Sequence, residues 1–137
     1  MTPWIQGNDG PGNYSYLRSA FIDKDIDFQN EKEYYNQTRK ISSIRQDPNT
    51  GEYYSQYPFG TSLMWMPYFL AAHLFAIFTD FPSNGYSEPY VYMISIGSAV
   101  NGFIALLLIL RMLSKYFEKN VALLSTISIW FASSLFY

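Results

Sequence analysis

Asp9 stands between Asn8 and the run Gly10-Pro11-Gly12. A carboxylate in that setting can take a proton from a hydroxyl or hold a divalent cation. The glycines beside it let a bulky ligand come close to the main chain. The same acid, just ahead of Gly10-Pro11, also serves as a cap for a helix that follows. Arg18 carries the planar guanidinium that matches phosphate, while an Arg on the polar face of an amphipathic helix commonly only snorkels to water. Asp23, Asp25 and Asp27 alternate as loose cation ligands would, without the remaining spacing of a calcium loop. His73 lies among apolar residues and reads as a satisfied structural side chain, and Arg39, Lys40 and Arg45 read as solvated charges within reach of lipid headgroups. With no cysteine and one histidine, disulfides, thiolate zinc sites and His-built metal centres are excluded.

These residues need elements to position them. Gly7 to Gly12 reads as a turn cluster that breaks regular structure. Tyr14, Leu17 and Phe21 then recur at helical spacing, which predicts a short amphipathic helix over 13–22. Residues 23–28 read as an ordered surface loop. Ile41–Gln46 and Glu52–Tyr57 flank Asp47-Pro48-Asn49-Thr50-Gly51, so a β-hairpin is expected over 41–57.

Charge divides the chain. Residues 1–58 hold 14 of the 20 charged side chains, and residues 59–137 hold six. No charge occurs between Glu52 and Asp80, between Glu88 and Arg111, or after Lys119. A bilayer core needs roughly 20 apolar residues, so 89–113 is expected to be a spanning helix and 120–137 a second one cut short. Arg111, Lys115 and Lys119 place the turn 111–120 on the cytoplasmic side, and the 80–88 loop, without Lys or Arg, outside. The stretch 59–79 is long enough to cross, but Pro67 and its aromatic girdle favour an interfacial or re-entrant helix. Residues 1–58 are then extracytoplasmic. Ser98 and Gly102 are expected to pack a neighbouring helix. The net charge of −2 supplies no basic stripe for nucleic acid.

The series Asn8-Asp9-Gly10-Pro11-Gly12-Asn13-Tyr14-Ser15-Tyr16-Leu17-Arg18-Ser19, then Asp25-Ile26-Asp27-Phe28-Gln29-Asn30-Glu31, then Tyr57-Pro58-Phe59-Gly60, resembles membrane glycosyltransferases of the GT-C superfamily, of the protein mannosyltransferase and aminoarabinose transferase type. The resemblance covers roughly residues 7–137, the early part of such an enzyme. It implies an all-α integral membrane fold: transmembrane helices, juxtamembrane amphipathic helices and a small hairpin in the first extracytoplasmic loop, with 59–79 as the second juxtamembrane helix. It also implies transfer of a sugar from a polyprenyl-phosphate donor to an extracytoplasmic acceptor, in the cytoplasmic (inner) membrane.

Asp9 matches the family's first-loop acidic position and is expected to act as the base. Arg18, Tyr14 and Tyr57 are expected to contact substrate. The expected partners are the lipid-linked donor and membrane lipids, with no nucleic acid. No cofactor is assigned, and a divalent cation stays an open alternative. Where many members carry two adjacent acids this chain has Asp9-Gly10, and Gln56-Tyr57 replaces the Glu-Lys of the aminoarabinose type, which argues against a metal site built on paired acids. An active site made by several membrane segments is not expected to be complete in this stretch. The competing reading is a non-catalytic membrane subunit of a transporter or assembly complex. An acidic pocket between the first helix and 59–79 would favour the enzyme, and an exposed Asp9 without a groove the subunit.

Overall fold

A computed structural model describes residues 5, 9–37 and 40–132. Arg39 and the last part of the helix expected over 120–137 lie outside the described residues. The described residues are 66% helical, with one two-stranded antiparallel sheet. In order, the elements are α1 (Asp9–Arg18), a π-helical turn (Ser19–Asp23), α2 (Gln29–Asn36), β1 (Ile44–Gln46), β2 (Tyr53–Ser55), α3 (Gly60–Ile77), α4 (Glu88–Leu113) and α5 (Lys119–Ala132). Two compact units divide within α4, one comprising residues 1–95 and the other 96–137.

The first helix starts four residues before the 13–22 expected, and it runs through the Gly10-Pro11-Gly12 segment that reads as a turn. Pro is tolerated in the first turn, where its missing N–H has no carbonyl to find. Gly12 is required there for a tertiary reason. A Cβ on it would lie 2.8 Å from Ser43 Cβ, 2.9 Å from Tyr57 Cδ2 and 3.0 Å from Ser55 Oγ, so α1 meets the hairpin at this point with no room for a side chain. The helix then widens into the π-helical turn and stops at Lys24, which takes a left-handed φ of 62°.

The hairpin pairs Ile44 with Ser55, Arg45 with Tyr54 and Gln46 with Tyr53. Its turn closes through Asp47: the carboxylate accepts from Asn49 N at 2.8 Å and the carbonyl from Gly51 N at 2.8 Å, with Gly51 at φ 80°. Ile44 is fully buried and forms a small core with Phe28, Tyr35 and Ile41. Residues 29–36, part of a stretch that reads as polar, form α2, whose buried face is Glu31 and Tyr35, one helical turn apart.

The larger core joins α1, α3 and the start of α4. Tyr14 and Leu17 pack with Phe69, Ala72 and Ala76 and with Tyr90 and Ile94. Tyr14 and Phe69 meet edge to face, with ring centroids 5.7 Å apart. Complete burial of a side chain such as Phe69 is worth about 2 kcal/mol. Its place on the same face as Ala72 and Ala76 lets the neighbouring helices approach closely. α3 runs unbroken through Pro67, and all three of these residues lie beyond the proline.

Among the described residues of the second unit, Leu106, Ala122 and Thr126 are the buried side chains, and Ser114–Phe117 form the turn before α5. Gly102, expected to pack a neighbour with Ser98, has open space around its Cα. Gly60–Ile77 and Glu88–Leu113 are both long and apolar enough to cross a membrane, with 22% and 11% of their most apolar windows buried. At 1.5 Å per residue they are about 27 and 39 Å long.

Candidate functional site

Asp9 opens α1 on an exposed surface. An acid at a helix N-terminus is favoured by the unpaired N–H groups of the first turn. Asn13 Nδ2 donates to the Asp9 carbonyl at 2.9 Å, and the phenolic hydroxyl of Tyr57 donates to Asp9 Oδ1 at 2.5 Å. Among the described residues, Oδ2 has no hydrogen-bond partner. Tyr57 is set just after β2: its N–H donates to Ser55 Oγ at 3.3 Å, and its carbonyl accepts from Tyr16 Oη at 2.9 Å. The bond to Asp9 holds the phenol proton and raises the Tyr57 pKa, and the positive charge of Arg45 acts in the opposite direction.

Asp9 and Tyr57 are thus brought together, and the other two expected substrate contacts are placed elsewhere. Tyr14 is a core residue at 1% exposure whose hydroxyl donates to the Gly85 carbonyl at 2.6 Å. Burial pushes its pKa well up and keeps the hydroxyl a donor. Arg18 neither snorkels nor faces solvent. Its Nη1 bonds Glu31 Oε1 at 2.8 Å and Asp23 Oδ2, its Nε donates to the Asn84 carbonyl at 3.0 Å, and its guanidinium lies over the Tyr86 ring. An arginine with these partners is not available to a lipid phosphate. The helix face looks polar in sequence because its counter-charges come from residues 23 and 31.

The α1–α3 seam is closed, not opened as an acidic pocket: Tyr14, Leu17 and Phe69 fill it, and Ser62 Oγ donates to the Asn13 carbonyl at 2.5 Å. A cleft of about 10 Å³ beside Tyr14, Tyr86 and Val91 has room for a water at most. A shallow depression lies among Asp25, Asp27, Gln29, Asn30 and Glu33. Asp9 lines neither. The alternating acids are each occupied with the fold: Asp23 with Arg18, Asp25 with Ser19 Oγ at 2.6 Å and Asp27 with Tyr53 N at 3.2 Å. Among the described residues, no three carboxylate or imidazole groups converge as metal ligands. His73 Nδ1 shares a 2.6 Å hydrogen bond with Tyr90 Oη and stacks nearly parallel to Phe69.

Sequence reasoning missed Glu31 and Tyr86. Glu31 is fully buried with Oε2 unpartnered, and the buried Tyr86 hydroxyl is also unpartnered. The one usable signal for Glu31 was its helical spacing from Tyr35, which puts an acid on the inward face of α2. No protein-family model, characterised protein or solved structure matches this chain.

Proposed function

We propose that this chain is the early part of a GT-C type membrane glycosyltransferase, with Asp9 as the base that activates the acceptor. One observation carries the reading: the segments that bear the resemblance, 8–19 and 57–60, meet through the Tyr57–Asp9 hydrogen bond across 48 residues. A carboxylate fixed by one oxygen and accessible through the other suits removal of a hydroxyl proton. In the proposed step the acceptor proton passes to Asp9 and the acceptor oxygen bonds to the anomeric carbon. The bond from that carbon to the phosphate oxygen breaks, and the polyprenyl phosphate leaves with its electron pair. Arg18 is committed to Glu31, Asp23 and the Asn84 carbonyl, so Arg45, exposed on β1, is the cation we assign to the leaving phosphate.

The same proposal puts the protein in the inner membrane, with residues 1–58 on its extracytoplasmic side and α3 lying along the outer interface. The length and exposed apolar surface of α3 and α4 support a membrane setting, as does the packing of the polar segment 1–58 on α3 through Tyr14 and Leu17. The test is sugar transfer from polyprenyl-phosphate donors by the protein in its complete reading frame. Asp9→Asn should abolish transfer while leaving the fold intact, and unchanged transfer would remove the base.

Asp9 is exposed and, among the described residues, lines neither of the two depressions above, which favours a second reading, a non-catalytic membrane subunit. In that case transfer is absent from the wild type as well, and Asp9→Asn alters association with a partner.

A further inference from the structure

The cluster around Arg18 binds four segments of the first unit to one another. Arg18 comes from α1, Asp23 from the π-helical turn, Glu31 from α2, and Asn84, Gly85 and Tyr86 from the connection between α3 and α4. The guanidinium carbon sits 4.3 Å from the Tyr86 ring centroid, and Tyr34 of α2 stacks on the other partner of that contact, with centroids 3.5 Å apart. Gly85 takes φ 81°, and a Cβ there would lie 2.9 Å from Arg18 Cγ.

The charge count is uneven. One guanidinium nitrogen serves two carboxylates, and Asp23 is further held by Asn30 Nδ2 at 2.7 Å. Glu31 has 0% exposure, and its Oε2 has no partner. The titratable and charged groups around it are Arg18, Asp23, Tyr35 of its own helix and Tyr86 of the connection. A second buried carboxylate with one oxygen unsatisfied is costly when ionised, and a proton on Glu31 removes the excess charge.

We propose that Glu31 is a proton-operated latch: with its proton, the Arg18 cluster stays closed and holds α2 and the 79–87 connection against α1, and on losing it both segments come away. The inference does not depend on the glycosyltransferase reading, because it needs only the first unit and no substrate. Burial moves the Glu31 pKa in the closed state from 4.5 to about 7, against the opposing hydrogen bond from Arg18. A hydrated, released Glu31 returns to the ordinary value. Opening therefore releases a proton and is favoured by rising pH, by about tenfold per pH unit between those two values, and levels off above the upper one.

The test is hydrogen exchange of the amides of residues 79–87 in the full chain in lipid nanodiscs, between pH 5 and 8, corrected for intrinsic exchange. The expected result is a protection factor that falls about 40-fold from pH 5 to 7 in the wild type and stays flat in Glu31→Gln. Asp23→Asn leaves Arg18 to Glu31 alone and lowers the closed-state value, so the fall should be smaller and level off at lower pH. Protection independent of pH in the wild type, or an unchanged fall in Glu31→Gln, overturns the latch. Should Glu31→Gln not fold, the ¹³C carboxyl shift of Glu31 in the wild type decides: a midpoint at the ordinary glutamate value overturns the proposal, and one near neutrality supports it.

Discussion

The phenol of Tyr57 and the carboxylate of Asp9 share a 2.5 Å hydrogen bond that ties the exit of the hairpin to the first turn of α1. Both side chains reach the surface, so the bond shapes chemistry more than stability. Replacing Asp9 with Asn should lower the Tyr57 titration midpoint toward that of a free tyrosine, because the anionic acceptor that retains the phenol proton is gone. Ultraviolet titration of wild type against variant measures this directly. Tyr57→Phe should keep the fold, by circular dichroism, and reduce sugar transfer by misplacing the carboxylate.

Arg18→Met should destabilise the first unit by about 3–5 kcal/mol, because it leaves Glu31 and Asp23 without their shared cation. Arg18→Lys should lose most of that as well, since an ammonium cannot reproduce two carboxylate contacts, the Asn84 carbonyl and the ring face together. Chemical denaturation followed by tyrosine fluorescence reads both.

Stability should depend on pH through Glu31. Its pKa is about 7 in the folded protein and 4.5 when released, so the folded state holds the proton more tightly. The contribution is full below 4.5 and declines as pH rises to about 7, by about 3 kcal/mol. Measured as a difference, Glu31→Gln should gain on the wild type over that window, and a constant difference would contradict the assignment.

Gly12→Ala should cost about 1–3 kcal/mol, because Ser43, Ser55 and Tyr57 already occupy the space its methyl would take. Gly102→Ala is the control: its Cα faces open space, so the same change there should be nearly neutral or slightly stabilising. Thermal unfolding of the two variants separates them.

Cysteine labelling tests the proposed topology. Asn49→Cys in the hairpin turn should react with an impermeant maleimide on intact cells, and Ser114→Cys beyond α4 only after lysis. Both positions are exposed, whereas Ser43 is fully buried and would report nothing.

The apolar helices were legible because exclusion of charge over some 20 residues is a property of composition alone. The hairpin was legible because Pro48 and Gly51 act locally. The start of α1 was not, since a turn-rich string can enter a helix when tertiary contact rewards it, as Ser43 and Tyr57 do around Gly12. Arg18 was misjudged for a related reason. Its environment is assembled from residues 23, 31 and 84–86, and no local pattern announces that three distant segments will enclose one cation. Of the candidate site, Asp9 and Tyr57 came together, while Tyr14 proved to be core because its neighbours Leu17 and Phe69 took the same face.

Tyr14 and Arg18 grasp the connection between α3 and α4 by carbonyl oxygens, at Gly85 and Asn84 respectively. At residues 84 and 85 what they recognise is the path of the main chain and not the identity of the side group, whereas Tyr86 is held by its ring. Residue 84 should therefore accept many replacements at the cost only of its own small turn, whereas residue 85 should accept none larger than hydrogen.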